Sequence, residues 1–159
     1  MIVSVDPGDT AAVAGFIEHV LRHSVDACDA QRLAFLVNIR ANLDAWQRRP
    51  DDALHLQCLR SAERVGVVMV KGGWNLCHLF VAPAWQGTGI GRALVEAAIA
   101  HCRGRSPHGE LRLNAARNAA GFYERLGFER VPGSVVSAVG IPYRLTLPAP
   151  MRPLNLPEG

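Results

Sequence analysis

The stretch Gln86-Gly87-Thr88-Gly89-Ile90-Gly91 constrains this chain more than any other six residues. A strand-like run, Leu76-Cys77-His78-Leu79-Phe80-Val81, leads into it. A helix-like run from Arg92 to Ala100 leaves it. Glycines let a backbone come close to an anion, and the free N–H groups of a helix start point at that anion. A glycine turn between a strand and a helix therefore predicts a site for a phosphate-bearing ligand. The spacing excludes two well-known ligand classes. A dinucleotide fingerprint needs glycine at position 92 or 94, which are Arg92 and Leu94, and a P-loop needs a Gly-Lys-Ser or Gly-Lys-Thr that does not follow.

The rest of the chain narrows the setting. Its 159 residues, 49% of them hydrophobic, suit one domain with a buried core. No run of eighteen apolar residues crosses a membrane, and Met1 to Pro7 has no basic start followed by an apolar block. Cys28, Cys58, Cys77 and Cys102 are scattered without a C-x-x-C pair, which predicts reduced thiols in a cytoplasmic protein. A net charge of +3 with no basic block argues against a nucleic-acid partner.

Periodicity gives the element order. Met1 to Asp6 reads as a strand, and Asp9 or Thr10 is placed to cap a helix carrying Val13, Phe16, Ile17, Val20 and Leu21. A second helix is predicted from about Asp29 to Gln47. Three strands follow: Ala53 to Arg60, Val65 to Lys71 after a link at Ser61 to Arg64, and Trp74 or Asn75 to Val81 after a Gly72-Gly73 hairpin turn. Glu110 to Ala115 returns across the helix of the glycine turn, so it should lie parallel to the strand before the turn. Asn118 to Leu126 reads as a short helix stopped by Gly127. Phe128 to Val131 and Ile141 to Leu147 read as the last strands, with a small-residue loop from Gly133 to Gly140 between them. Residues 1–147 form the predicted domain, and 148–159, with four prolines, an extended tail.

Two segments carry a family likeness. Val81-Ala82-Pro83-Ala84-Trp85-Gln86-Gly87-Thr88-Gly89-Ile90-Gly91 resembles the Q/R-x-x-G-x-G/A pyrophosphate loop of the GCN5-related N-acetyltransferases, the GNAT family. Asn118-Ala119-Ala120-Gly121-Phe122-Tyr123-Glu124-Arg125-Leu126-Gly127-Phe128 resembles the family's N-x-x-A/G-x-x-F-Y-x-x-x-G-F element, one residue shorter at its start. The resemblance implies one α/β domain. Its mixed, mostly antiparallel sheet is flanked by helices and splayed between the fourth and fifth strands. It also implies transfer of an acetyl group from acetyl-CoA to a primary amine, by direct attack in a ternary complex. Acetyl-CoA is then a co-substrate, no metal is needed, and the acceptor is a small molecule or protein amine. Small members of the family often pair, so a homodimer is compatible with it.

The resemblance assigns roles residue by residue. Gln86, Gly87, Thr88, Gly89, Ile90 and Gly91 would hold the pyrophosphate. Arg92 is the best placed of Arg92, Arg103, Arg105 and Arg117 for the 3′-phosphate. The backbone of Leu79-Phe80-Val81 would pair with pantetheine, and one N–H near Phe80 or Val81 would face the oxyanion. Pro83 cannot donate to a ladder and would end the pairing. Asn118 would touch the cofactor's arm, cap the short helix, or both. Tyr123 would be the general acid at the departing sulfur, because a tyrosine near pKa 10 stays protonated at neutral pH. Its competing reading is a half-buried aromatic, although Phe122 and Leu126, sharing a face, suit packing better.

The base is not fixed by these motifs. Some family members carry a glutamate eleven residues before the Gln or Arg of the loop, where this chain has Asn75. His78 is a weak base candidate, placed by strand alternation on the face of Leu76 and Phe80 and equally readable as structural. Glu63 and His55 are weaker, and water chains serve as well as any of them. His19 and His23, four apart, could begin a zinc site only with a third ligand, and Asp26 or Cys28 need not converge on them. The lack of a carboxylate at Asn75 keeps a second class open, a non-catalytic acyl-CoA sensor.

Overall fold

The computed structural model describes residues 1–24, 29–137 and 140–148. The strands are β1 (Ile2–Ser4), β2 (Ala53–Arg60), β3 (Glu63–Lys71), β4 (Asn75–Val81), β5 (Glu110–Ala115), β6 (Glu129–Arg130) and β7 (Ile141–Thr146). The helices are α1 (Thr10–Ser24), α2 (Asp29–Arg48), α3 (Ile90–Cys102) and α4 (Ala120–Arg125). The strands form one seven-stranded sheet in the order β1-β2-β3-β4-β5-β7-β6. Every neighbouring pair is antiparallel except β4 and β5. No described helix is long and apolar enough to cross a membrane. Residues 138 and 139 of the expected loop and 149–159 of the expected tail lie outside the described residues.

The parallel pair is short. Asn75 pairs with Arg112, and the Arg112 N–H donates to the Trp74 carbonyl at 2.7 Å. Beyond that point β4 and β5 part, which is the predicted splay. A bulge in β4 lies where the parting begins. Met69 pairs with His78 but Val70 pairs with Leu76, so Cys77 is the extra residue. A bulge bends its strand and steepens its twist.

The bulge also overturns one expectation. Simple alternation puts His78 on the face of both Leu76 and Phe80. In the structure Leu76 packs with the cluster under α3, whereas Phe80 packs with the cluster under α1 and α2. His78 stays with Phe80, their rings 5.9 Å apart. The extra residue resets the period, so residues before and after it switch faces.

The two faces hold separate cores. Val68, Val70, Leu111 and Leu113 meet Leu94, Val95 and Ala98 of α3 and Tyr123 of α4. Val67 and Met69 meet Val13 and Ile17 of α1 and Leu43 and Trp46 of α2. Three local expectations shift. The link before β3 is only Ser61-Ala62, both at positive φ (49° and 65°), a turn that no glycine announces in the sequence. Asp6, rather than Asp9 or Thr10, caps the N-terminal turn, its Oδ1 accepting from the Gly8 N–H at 2.7 Å. Asn118 lies inside a 3-10 turn, Arg117–Ala119, and caps neither that turn nor α4, whose N-cap is Ala119.

Gly66 seats α3 on the sheet. A Cβ there would lie 2.8 Å from Leu94 Cδ1 and 2.9 Å from Ile90 Cγ2. The helix start is therefore pressed against bare backbone, and that contact fixes where the glycine turn sits. We expect Gly66→Val to cost about 2 kcal/mol, the usual scale for an overpacked core. In thermal unfolding this is a loss of roughly 4–8 °C for a domain of this size, and an unchanged midpoint would mean α3 is free to shift.

Candidate active site

The turn is built to leave its N–H groups outward. Gly87 and Gly89 have φ of 75° and 89°, a region that L side chains rarely enter. A Cβ at either would meet nothing within 4 Å, so open space lies on that side. Gly89 caps α3, and the first N–H answered within the helix is that of Ala93, which donates to the Gly89 carbonyl at 3.0 Å. Helix geometry leaves the N–H groups of Ile90, Gly91 and Arg92 without intrahelical acceptors. The turn's own side chains stay clear of them: Gln86 Nε2 donates to the Val81 carbonyl at 3.1 Å and Thr88 Oγ1 to the Trp85 carbonyl. An exposed cradle of N–H groups at the positive end of a helix dipole fits a pyrophosphate. Arg92 stands at its rim, where its Nε meets Glu96 Oε1 at 2.8 Å.

Three elements converge beside this cradle. A Cβ on Gly91 would sit 3.4 Å from Phe122 Cζ and 3.6 Å from Val81 Cγ2. The turn, the end of β4 and the start of α4 thus touch. Tyr123 is the buried residue of α4, edge-on to Phe122 and Phe128 at 5.0 and 5.6 Å. That reverses the sequence-based ranking, in which Phe122 and Leu126 took the packing role. The short helix turns Tyr123 into the core it shares with α3 and the sheet, while Phe122 and Leu126 stay partly buried. Burial pushes the Tyr123 phenol up to about 12. The other tyrosine, Tyr143, is buried on β7 and donates to Glu124 Oε1 at 2.8 Å.

The parting of β4 and β5 frees part of β4's backbone. The Ala82 N–H donates to the Val65 carbonyl on β3 at 2.8 Å. Antiparallel alternation then turns Phe80 towards β3 as well, and Leu79 and Val81 towards the gap. The Val81 carbonyl agrees, since it accepts from Gln86 and not from β3. Of the two N–H groups expected to face an oxyanion, the Val81 group faces the wedge and the Phe80 group belongs to the ladder.

An acetyltransferase (GNAT) domain model matches residues 24–146. The chain belongs to the GNAT acetyltransferase family. It is similar to the peptidyl-lysine N-acetyltransferase YjaB of Salmonella typhimurium, 32% identical over 79% of this chain and 83% of that one. Against YjaB of Escherichia coli it is 35% identical, but the match spans only 48% of this chain and 50% of that one. In fold it is similar to the PaiA N-acetyltransferase of Thermoplasma acidophilum in complex with coenzyme A (TM-score 0.71, 15% identity, 92% and 98% of the two chains). It is also similar to yncA of Salmonella typhimurium with its cofactor acetyl-CoA (TM-score 0.62, 21% identity, 98% of each chain).

On the other face of this GNAT domain lies a polar network that the sequence motifs did not reveal. Lys71 Nζ donates to Asn42 Oδ1 at 2.8 Å, and Asn42 Nδ2 contacts His78 Nε2 at 3.2 Å. The lysine fixes the amide orientation, so Asn42 donates to His78 and the imidazole proton resides on Nδ1. His78 is 1% exposed, and burial, then His55 and Lys71, lower its pKa to about 3. His55 pairs across β2 and β3 with Met69, which pairs with His78, and its ring lies edge-on to Trp46 at 4.5 Å. Burial, then Arg64, lower its pKa to about 4. His78 offers an incoming amine no free lone pair. The pairing of Asn42 with His78, thirty-six residues apart, has no local signal in the sequence.

Other residues sit away from the wedge. His55 lines an open cleft of about 880 Å³ with Asp51, Asp52 and Arg105, at the end of the sheet opposite the glycine turn. Asn118 is exposed ahead of α4. His19 and His23 stack at 4.3 Å on the surface of α1, and Asp26 and Cys28 lie outside the described residues.

The buried histidines make stability acid-sensitive. Their folded pKa values, about 4 and about 3, lie below the 6.5 of the unfolded chain. Between those limits the unfolded chain binds more protons, so stability is full above pH 6.5 and falls as pH drops. At pH 5 each histidine accounts for a loss of up to about 2 kcal/mol. Urea unfolding of the wild type and of His55→Leu at pH 7.5 and 5.0 should show a smaller acid loss in the variant. Equal losses would show that His55 takes up a proton in the folded state.

Proposed function

We propose that this protein transfers the acetyl group of acetyl-CoA to a primary amine, with the side chain of a lysine in a peptide or protein as acceptor. The observation that carries this reading is the convergence of the glycine turn, the end of β4 and α4, through Gly91, Val81 and Phe122, beside the unpaired edge of β4; α4 is the helix that carries Tyr123. The YjaB relatives, named peptidyl-lysine N-acetyltransferases, support the lysine acceptor.

In this mechanism the N–H groups from Gly87 to Arg92 hold the pyrophosphate, with Arg92 beside the 3′-phosphate. Asn118, exposed before α4, meets the cofactor's arm. The backbone of Leu79 replaces its missing β5 partner with a peptide-like amide of pantetheine, the Val81 carbonyl being taken by Gln86. The amine attacks the thioester carbonyl, its carbon–nitrogen bond forming as the carbon–sulfur bond breaks. The Val81 N–H faces the oxyanion, where a single fixed donor contributes about 2.7–4 kcal/mol. Tyr123 faces the sulfur. Moving a proton from a phenol at about 12 to a thiolate near 8.5 is uphill by about 5 kcal/mol. Tyr123 therefore acts as a hydrogen-bond donor to the leaving thiolate, and the thiolate takes its proton, through water, from the nitrogen that becomes the amide. With Asn75 in place of a carboxylate and the His78 lone pair engaged, the ammonium loses its proton to water.

Thiol release from acetyl-CoA with an Nα-blocked lysine and a lysine-containing peptide tests the reading. Acetyl-CoA binding without thiol release across amine classes would return the protein to a binding role. Tyr123→Phe should lower kcat by about ten- to a hundredfold, the scale of one hydrogen bond to a charged group, with the acetyl-CoA Kd unchanged. An unaltered rate across pH removes Tyr123 from the sulfur. Gly89→Glu strains a φ of 89° and puts a carboxylate where the cradle faces an anion. It should abolish acetyl-CoA binding in calorimetry, and retained binding would mean the phosphates lie elsewhere.

A further inference from the structure

We infer that Asn114 binds the acceptor amine, its side-chain carbonyl accepting a hydrogen bond from the nitrogen that attacks the thioester. The inference rests on the acetyltransferase reading above.

The amine's direction of approach follows from the packing. On one side of the wedge, α3 and α4 fill the space against β5, with Leu113, Ala115 and Tyr123 buried there. The opposite face of β5 is open, and Arg112 and Asn114 point from it into solvent. An amine reaches the wedge from that open face, across from Tyr123.

Such an amine needs an acceptor to orient its N–H groups, and the strands flanking the gap offer few. On β4, Phe80 has none, Cys77 Sγ donates to the Met69 carbonyl at 3.7 Å, and the His78 lone pair is engaged by Asn42. On β5, Arg112 is a donor only and holds Glu110, which lies on the paired side of the strand. Asn114 is two residues beyond Arg112, the last residue of β5 paired with β4, so it stands at the mouth of the gap. Among the described residues of these two strands on this face, two side-chain amide oxygens are free, those of Asn75 and Asn114; Asn75 sits at the paired end against Arg112, so Asn114 Oδ1 is the one that lies beyond the pairing, inside the opening. An amide suits the role. It accepts from an ammonium and from a neutral amine alike, and it places no fixed charge beside the thioester.

The test separates amine binding from donor binding. With acetyl-CoA saturating and Nα-acetyl-lysine amide varied, Asn114→Leu should raise the KM for the amine about tenfold, the scale of one charge-assisted hydrogen bond. The Kd for acetyl-CoA should stay at the wild-type value. Asn114→Asp, which keeps an acceptor, should hold the KM near wild type, an outcome that a purely structural role does not predict. A second readout avoids turnover: in the dead-end complex with coenzyme A, the same amine should bind about tenfold more weakly to Asn114→Leu. An unchanged KM or unchanged amine binding in that variant overturns the inference, as does a weakened acetyl-CoA Kd. Asn114-dependent amine binding without thiol release would leave the inference standing and overturn the catalytic reading instead.

Discussion

The structure depends on the early end of one strand pairing. β4 and β5 meet at Asn75 and Arg112 and then separate, which leaves strand-edge N–H and carbonyl groups without partners inside a folded sheet. Backbone polar groups are rarely left unanswered, because each carries a desolvation cost when no partner or water reaches it. The gap therefore has a chemical demand: something extended, with its own amide groups, along β4. Gln86 answers one of these groups from the turn, by donating to the Val81 carbonyl. The pantetheine arm and the thioester of the proposed co-substrate answer the others.

Two features keep the gap open and aimed. The bulge at Cys77 bends β4 where the parting begins, and it separates Leu76 from His78 onto different faces. Gly66 brings α3 against β3 with no side chain between, so the helix start and its unpaired N–H groups are held at the end of β4. The division of the faces then divides the chemistry. Tyr123 lies with the α3 and α4 core, and the open face of β5 lies opposite. Leaving group and nucleophile accordingly have separate sides of the wedge in the mechanism proposed above.

The polar network under α2 has a different character. Lys71, Asn42 and His78 link β3, α2 and β4 through side chains, and three imidazole nitrogens of His55 and His78 are buried without a partner among the described residues. Buried, neutral histidines beside a lysine resist protonation, so the network favours neutral pH and holds α2 onto the strand that lines the wedge.

Much of this was legible in the sequence because it is local. A glycine turn between strand and helix, a period-2 meander and a Gly72-Gly73 hairpin each follow from neighbouring residues, and β2 and β5 fall at their predicted bounds. The Ser61-Ala62 turn was missed because its positive φ angles are carried by residues that do not advertise them. The face of Leu76, the burial of Tyr123 and the engaged lone pair of His78 were not legible for a shared reason. A bulge is decided by how two strands register, and burial and hydrogen bonding are decided by what packs against a residue from far along the chain. The sequence alone determined the donor-side turn and the order of elements, since both are written in short-range spacing. Only the tertiary structure decided which backbone groups of β4 remain unpaired, because that depends on where a strand thirty-five residues away lets go.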